Sequence, residues 1–174
     1  MFDVHEIDLR KLNSMTKYPQ ILTYHAMNLK NGMLIEDDVM DFRDEEIIVT
    51  EKIDGTNGRI IVLPDGNVIV GSREELLWAA GDLIENPTLG IVSTLKQLSD
   101  FIPNNNFANS EKIATYYFEV FGSAELPHSK NYTSNKASAF RLFDASVVDD
   151  FSMFDWPRER IASWRDHGNQ CFYT

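Results

Sequence analysis

Glu51-Lys52-Ile53-Asp54-Gly55-Thr56-Asn57-Gly58 is the stretch on which the reading of the fold depends. The residues leading into it, 47 to 52 (Ile-Ile-Val-Thr-Glu-Lys), read as a strand, and Asp54-Gly55 as a tight turn at its end. A lysine in that position can aim its amine at a bound nucleotide, and a deprotonated amine is a good nucleophile. The plainer reading is a β-hairpin over Val49 to Val70, with Asp-Gly as its turn and Lys52 solvated beside it. Lys-x-Asp-Gly alone does not separate the two.

Outward from this stretch the chain alternates strand and helix signals. Arg59 to Leu63 and Asn67 to Gly71 read as strands joined by the turn Pro64-Asp65-Gly66. Glu74 to Leu83 sets Leu76, Leu77, Ala80 and Leu83 at helical spacing. Gly90 to Phe101 predicts another helix, with Ile91, Leu95, Leu98 and Ile102 on one face. Asn104-Asn105-Asn106 is a loop. Ile113 to Phe121 and Ala139 to Val148, rich in aromatic and branched residues, predict strands. A short helix is expected near Asp8 to Met15. The last helix is expected to be capped by Asp155, with Pro157 in its first turn and Gly168 near its stop; Cys171 to Thr174 then begins a strand.

Four pieces in this order resemble a known family. Glu51-Lys52-Ile53-Asp54-Gly55-Thr56-Asn57 is similar to the first signature motif of the covalent nucleotidyltransferases: ATP-dependent RNA and DNA ligases and mRNA capping enzymes. Gly71-Ser72-Arg73 resembles the short arginine motif after the first hairpin. Tyr117-Phe118-Glu119-Val120-Phe121-Gly122 resembles the third motif, a strand with one acidic residue. Phe140-Arg141-Leu142-Phe143-Asp144 resembles the aromatic motif that follows. Lys17-Tyr18-Pro19 and Thr56-Asn57 are most similar to the phage-type RNA ligase group.

The resemblance implies an α+β fold: a ligase-type adenylation domain of antiparallel sheets flanked by helices, with residues 1–174 forming one domain. Two further family motifs, a Glu-Gly strand and a lysine-containing strand, have no counterpart here, so the domain is expected to be C-terminally incomplete. The sheet edge that such an end would expose invites pairing, which predicts a homodimer or a tendency to aggregate.

The resemblance also implies ATP and Mg²⁺ as cofactors and RNA or DNA ends as substrates. Lys52 would attack the α-phosphorus of ATP to form a lysine–AMP intermediate, and the adenylate would then activate a 5′-phosphate for sealing. A lysine is protonated at neutral pH and must be desolvated or set beside positive charge to react. Asp54 would orient a metal or an incoming strand end; it could equally be only the turn aspartate. Gly55 would let the backbone pass close to the nucleotide. Glu119 would bond the ribose, though it could instead face outward from a half-exposed strand. Arg73 would contact ribose or phosphate with its planar fork, unless it is a surface arginine. Phe143 would stack on adenine, with plain core as the competing role. Strand alternation puts Phe143 and Arg141 on one face. Glu51 would sit near the adenine edge and Asn57 would assist sealing. The alternative is a catalytically incomplete, ligase-like module that binds a nucleotide or a partner.

Composition narrows the class. Hydrophobic residues make up 43% of 174, which excludes a disordered chain. A formal net charge of −11 argues against holding nucleic acid by bulk electrostatics and leaves room only for a local basic cleft. Ile35 to Glu46 is acidic and reads as solvated. The N-terminus lacks a secretory pattern, and no apolar run reaches membrane length. One cysteine, Cys171, fits a reducing compartment, the cytoplasm by default. The histidines (His5, His25, His128, His167) lack metal-ligand spacing, so no protein-built metal site is expected. Trp78, Trp156 and Trp164 read as packing residues on helices.

Overall fold

The computed structural model describes residues 5–21, 24–28, 30–40, 46–79, 84–85, 88–102, 111–122, 126, 131–132 and 137–173. The chain divides into two compact units: Met1–Tyr18 with Ile53–Thr174, and Pro19–Lys52.

The smaller unit holds β1 (His25–Met27) and β2 (Leu34–Val39), an antiparallel pair of its own. Every residue of β2 is exposed, so the part of the acidic stretch expected as solvated chain is a solvated strand. Residues 41–45 lie outside the described residues. Residues 46–52 carry no regular secondary structure, so the strand expected over 47–52 is absent. Ile47, Ile48 and Val49 are exposed, and among the described residues no strand pairs with them.

The larger unit begins with α1 (Leu9–Met15), where the expected short helix lies. Asp8 caps it by accepting from the amides of Arg10 and Lys11. Its main sheet has seven strands. β3 (Thr56–Val62), β4 (Val68–Ser72), β5 (Leu76–Ala79) and β6 (Ile84–Glu85) form one half; β7 (Ile113–Phe121), β8 (Ala139–Val148) and β9 (Cys171–Phe172) form the other. The order is β6-β5-β4-β3-β7-β8-β9, antiparallel throughout. The middle of this order comes from branched and aromatic residues that are buried on both faces: β3 and β7 supply Ile60, Ile61, Val62, Ile113, Tyr117 and Val120.

Each face of the sheet is covered by helix. On one face Ile60, Val70, Phe118 and Val120 pack against Ile91, Val92 and Leu95 of α2 (Ile91–Leu95). On the other, Ile61, Leu63 and Ile69 pack against Leu12 and Met15 of α1 and Ile161 of α3 (Arg158–Asp166). Trp156 and Trp164 lie against this second core as packing residues, as expected.

Three local expectations are corrected. Leu76 to Ala79 is strand, not helix; Ala80 and Leu83 lie outside the described residues. Four apolar residues in succession suit a buried strand as well as a helix. The choice is made by a tight turn in which the Ser72 amide bonds the Glu75 carbonyl at 2.8 Å and Ser72 Oγ accepts from Glu75 at 3.0 Å. Trp78 is therefore on a strand, with the Lys96 ammonium 4.7 Å from its ring centre. The helix expected over 90–101 is broken: α2 has five residues and gives way to a 3₁₀ turn at Lys96–Leu98. Ser93 and Thr94 both bond back to the Gly90 carbonyl, competing with regular helix hydrogen bonding. Asp155 ends a 3₁₀ turn (Phe151–Asp155) that Asp150 caps, and α3 starts after Pro157. Gly168 stops α3 with φ +69°, in the left-handed region that favours glycine. The Asn104–Asn106 loop, His128 and Thr174 lie outside the described residues.

Candidate functional site

The turn before β3 is built around Gly55. A Cβ there would lie 2.3 Å from the carbonyl oxygen of Val120 in β7, so only glycine lets the two backbones approach this closely. The Gly55 amide donates to Glu119 Oε1 at 3.1 Å. The Asp54 amide donates to the hydroxyl of Tyr132 at 2.8 Å. Asp54 is exposed and Glu119 half-buried.

Register then places the strand residues. Asn57 faces Glu119 across the β3–β7 pair, and Glu119 faces Arg141 across the β7–β8 pair. Asn57 Oδ1 is buried and has no hydrogen-bond partner among the described residues. Two pairs further along, Arg59 lies between Gly71 and Tyr117. Gly71 is forced by that neighbour: a Cβ would meet Arg59 Nε at 2.9 Å and the Glu75 carbonyl at 3.0 Å.

Arg59 is a site-adjacent residue that strand alternation did not single out. It is fully buried, donates from Nη2 to Asn13 Oδ1, and leaves Nε and Nη1 without partners among the described residues. Burial lowers its guanidinium to about 10, still charged at neutral pH. Tyr117 beside it is also fully buried and bonds Ser146 Oγ at 2.9 Å. Burial raises the Tyr117 hydroxyl above its usual value.

Phe143 sits at a break in the β7–β8 register. Tyr117 pairs with Asp144 and Phe118 with Leu142, leaving Phe143 as the extra residue of a β-bulge. Its ring contacts Tyr18 at 5.2 Å, edge-on, and Tyr117 at 6.3 Å, tilted, and 41% of the residue is exposed. Bulges re-aim side chains, which is why they gather near active sites. Phe140 and Leu142 are exposed as well, so this half of β8 offers bare apolar surface.

The larger unit thus brings Gly55, Asn57 and Glu119 together, with Phe143 on the strand next to Glu119. Arg73 follows Ser72, which pairs with Gly58; its guanidinium is exposed and 3.8 Å from Glu74, a solvated pair of small energetic value. Glu51 and Lys52 are exposed and close the smaller unit, and the chain enters the larger one at Ile53. Among the described residues no group of three or more His, Cys, Asp or Glu could hold a metal ion.

The RNA ligase family model matches residues 45–172, a span running from before Lys52 through every strand of the large sheet. The chain belongs to the RNA ligase family. No curated protein is similar enough to be matched to it. The seven-stranded antiparallel sheet with helices on both faces is accordingly the α+β nucleotidyltransferase domain of an RNA ligase family member, and ligase-like function follows at that level. No helix among the described residues is long and apolar enough to cross a membrane.

Proposed function

We propose that this RNA ligase family member is an ATP-dependent adenylyltransferase of the phage-type kind that seals RNA ends through a lysine–AMP intermediate. The observation that carries the reading is the bond from the Gly55 amide to Glu119, which joins the segment entering β3 to the acidic strand. The Lys52 amine, having given its proton to solvent, attacks the α-phosphorus of ATP. A nitrogen–phosphorus bond forms and the bond to the departing pyrophosphate breaks. The adenylate then passes to a 5′-phosphate, and a 3′-hydroxyl displaces AMP to leave a phosphodiester.

The residues divide this work. Phe143 stacks on adenine with its exposed ring, and Glu51 lies at the base edge. Glu119 accepts from the ribose hydroxyls, and Arg73 holds ribose or phosphate. Asn57 brings a buried oxygen that has no donor among the described residues, a polar partner for substrate during sealing. Gly55 keeps the turn free of a side chain where the nucleotide must approach. Asp54, exposed two residues after Lys52 in the chain, orients the strand end or a metal. Mg²⁺ would enter on the ATP phosphates. Bound there, Mg²⁺ supplies positive charge that neutralises the transferring phosphoryl group.

The test is a sealing assay with 5′-phosphorylated RNA and a 3′-hydroxyl acceptor, run beside matched DNA. Joined RNA, preceded by an adenylylated 5′ end, is expected. Formation of the lysine adduct with no transfer to either polymer would remove the sealing steps, and nucleotide binding with no adduct would leave the nucleotide-binding alternative.

A further inference from the structure

We propose that Tyr18 is a positioning residue that sets the Phe143 ring for base stacking. The inference rests on the reading of Phe143 as the adenine platform and adds a residue to that site from another part of the chain. Tyr18 lies just beyond α1, in the same compact unit as β8. Its hydroxyl donates to Asp144 Oδ2 at 2.9 Å, and Asp144 is the neighbour of Phe143. The other oxygen, Asp144 Oδ1, accepts from the Ala145 amide at 2.8 Å. One carboxylate therefore ties the bulge to its own backbone on one side and to Tyr18 on the other.

The ring of Tyr18 completes the arrangement. It meets Phe143 edge-on at 5.2 Å, Tyr117 at 4.9 Å and Phe172 at 5.6 Å. An edge-on neighbour props a ring while leaving part of its face bare, and Phe143 keeps 41% of its surface exposed. A bulged residue has no ladder partner to fix it. Side-chain contacts must do so, and Tyr18 touches both the ring and the carboxylate beside it. Tyr18 is itself anchored. The Lys17 ammonium bonds Glu74 at 2.6 Å, and Gln170 Nε2 donates to the Met15 and Lys17 carbonyls at 3.0 and 3.1 Å.

The experiment compares wild type, Tyr18→Phe, Phe143→Ala and the double variant. Calorimetry measures their binding of α,β-methylene ATP, which cannot transfer its adenylyl group, and of inorganic tripolyphosphate, which has no base. Phe143→Ala is expected to weaken the ATP analogue about tenfold, the order of one lost base stack. Tyr18→Phe keeps the ring and removes only the hydroxyl; it is expected to weaken the analogue about fivefold, the order of one net hydrogen bond. The double variant should be no weaker than Phe143→Ala alone, because Tyr18 acts through that ring. Tripolyphosphate should bind all four proteins alike.

Equal weakening of both ligands by Tyr18→Phe would mean general loosening of the fold and would overturn the proposal. So would wild-type affinity in Tyr18→Phe beside a weakened Phe143→Ala, an outcome that leaves the stacking platform standing. An unchanged Phe143→Ala, or a wild type that binds no ATP analogue, would remove the platform and the inference together.

Discussion

Glu119 serves two partners in the proposed site, the Gly55 amide in the free protein and a ribose when nucleotide is bound, and the two can be separated by substitution. Glu119→Gln keeps an oxygen for the Gly55 amide and is expected to hold stability near wild type. Glu119→Ala strands that amide and should cost about 1–3 kcal/mol in urea unfolding. Equal midpoints for the two variants would show that the Gly55 bond contributes nothing. Gly55→Ala forces a Cβ against the Val120 carbonyl, backbone against backbone, and should destabilise by at least about 1–3 kcal/mol. A Gly55→Ala protein with wild-type stability and adenylylation would contradict the close approach. Gly55 and Glu119 could be singled out as candidates because their types are unusual for their places: a glycine three residues after a lysine at a turn, an acid amid apolar strand residues. Arg59 was not. Strand alternation marks which face it takes, yet nothing local reveals that α1 covers that face and supplies Asn13 as its partner.

At the scale of elements, the junction of α1 with β7 and β8 makes stability depend on alkaline pH. Burial, then the bond to Asp144, raises the Tyr18 hydroxyl above its ordinary value; burial raises that of Tyr117. A tyrosine held neutral in the fold ionises first in the unfolded chain. Its contribution is therefore complete below the unfolded value of about 10 and is lost as pH rises through the folded values. Urea midpoints should fall above about pH 10, and Tyr18→Phe should fall less steeply. A variant with the wild-type slope would remove Tyr18 from this linkage. β7 and β8 were read at their observed bounds because strands of nine and ten residues rich in branched and aromatic side chains leave little alternative. β5 was misread because a short apolar run fits either period, and α2 was rightly read as a helix but too long. A Ser72–Glu75 turn and a pair of hydroxyls bonding back to Gly90 decided them.

For the whole molecule, the two units differ in what holds them. The larger has a buried sheet with a core on each face, whereas the smaller has a two-stranded sheet whose β2 is entirely exposed. Isolated two-stranded sheets are marginally stable in water. Amide hydrogen exchange should therefore deprotect β1 and β2 well before β3 and β7; equal protection would contradict the division. Lys52 is the last residue of the smaller unit, and Gly55 and Glu119 belong to the larger. The family was legible from four ordered motifs, and the division at Lys52 was not, because a contiguous motif gives no sign that the chain changes units within it.

The most direct test of the proposed chemistry is intact-mass spectrometry of the protein after incubation with ATP and Mg²⁺, beside Lys52→Ala. The expected result is one added AMP on the wild type, removed by pyrophosphate and absent from the variant. An unmodified wild type, or a variant that gains AMP equally, would contradict Lys52 as the nucleophile.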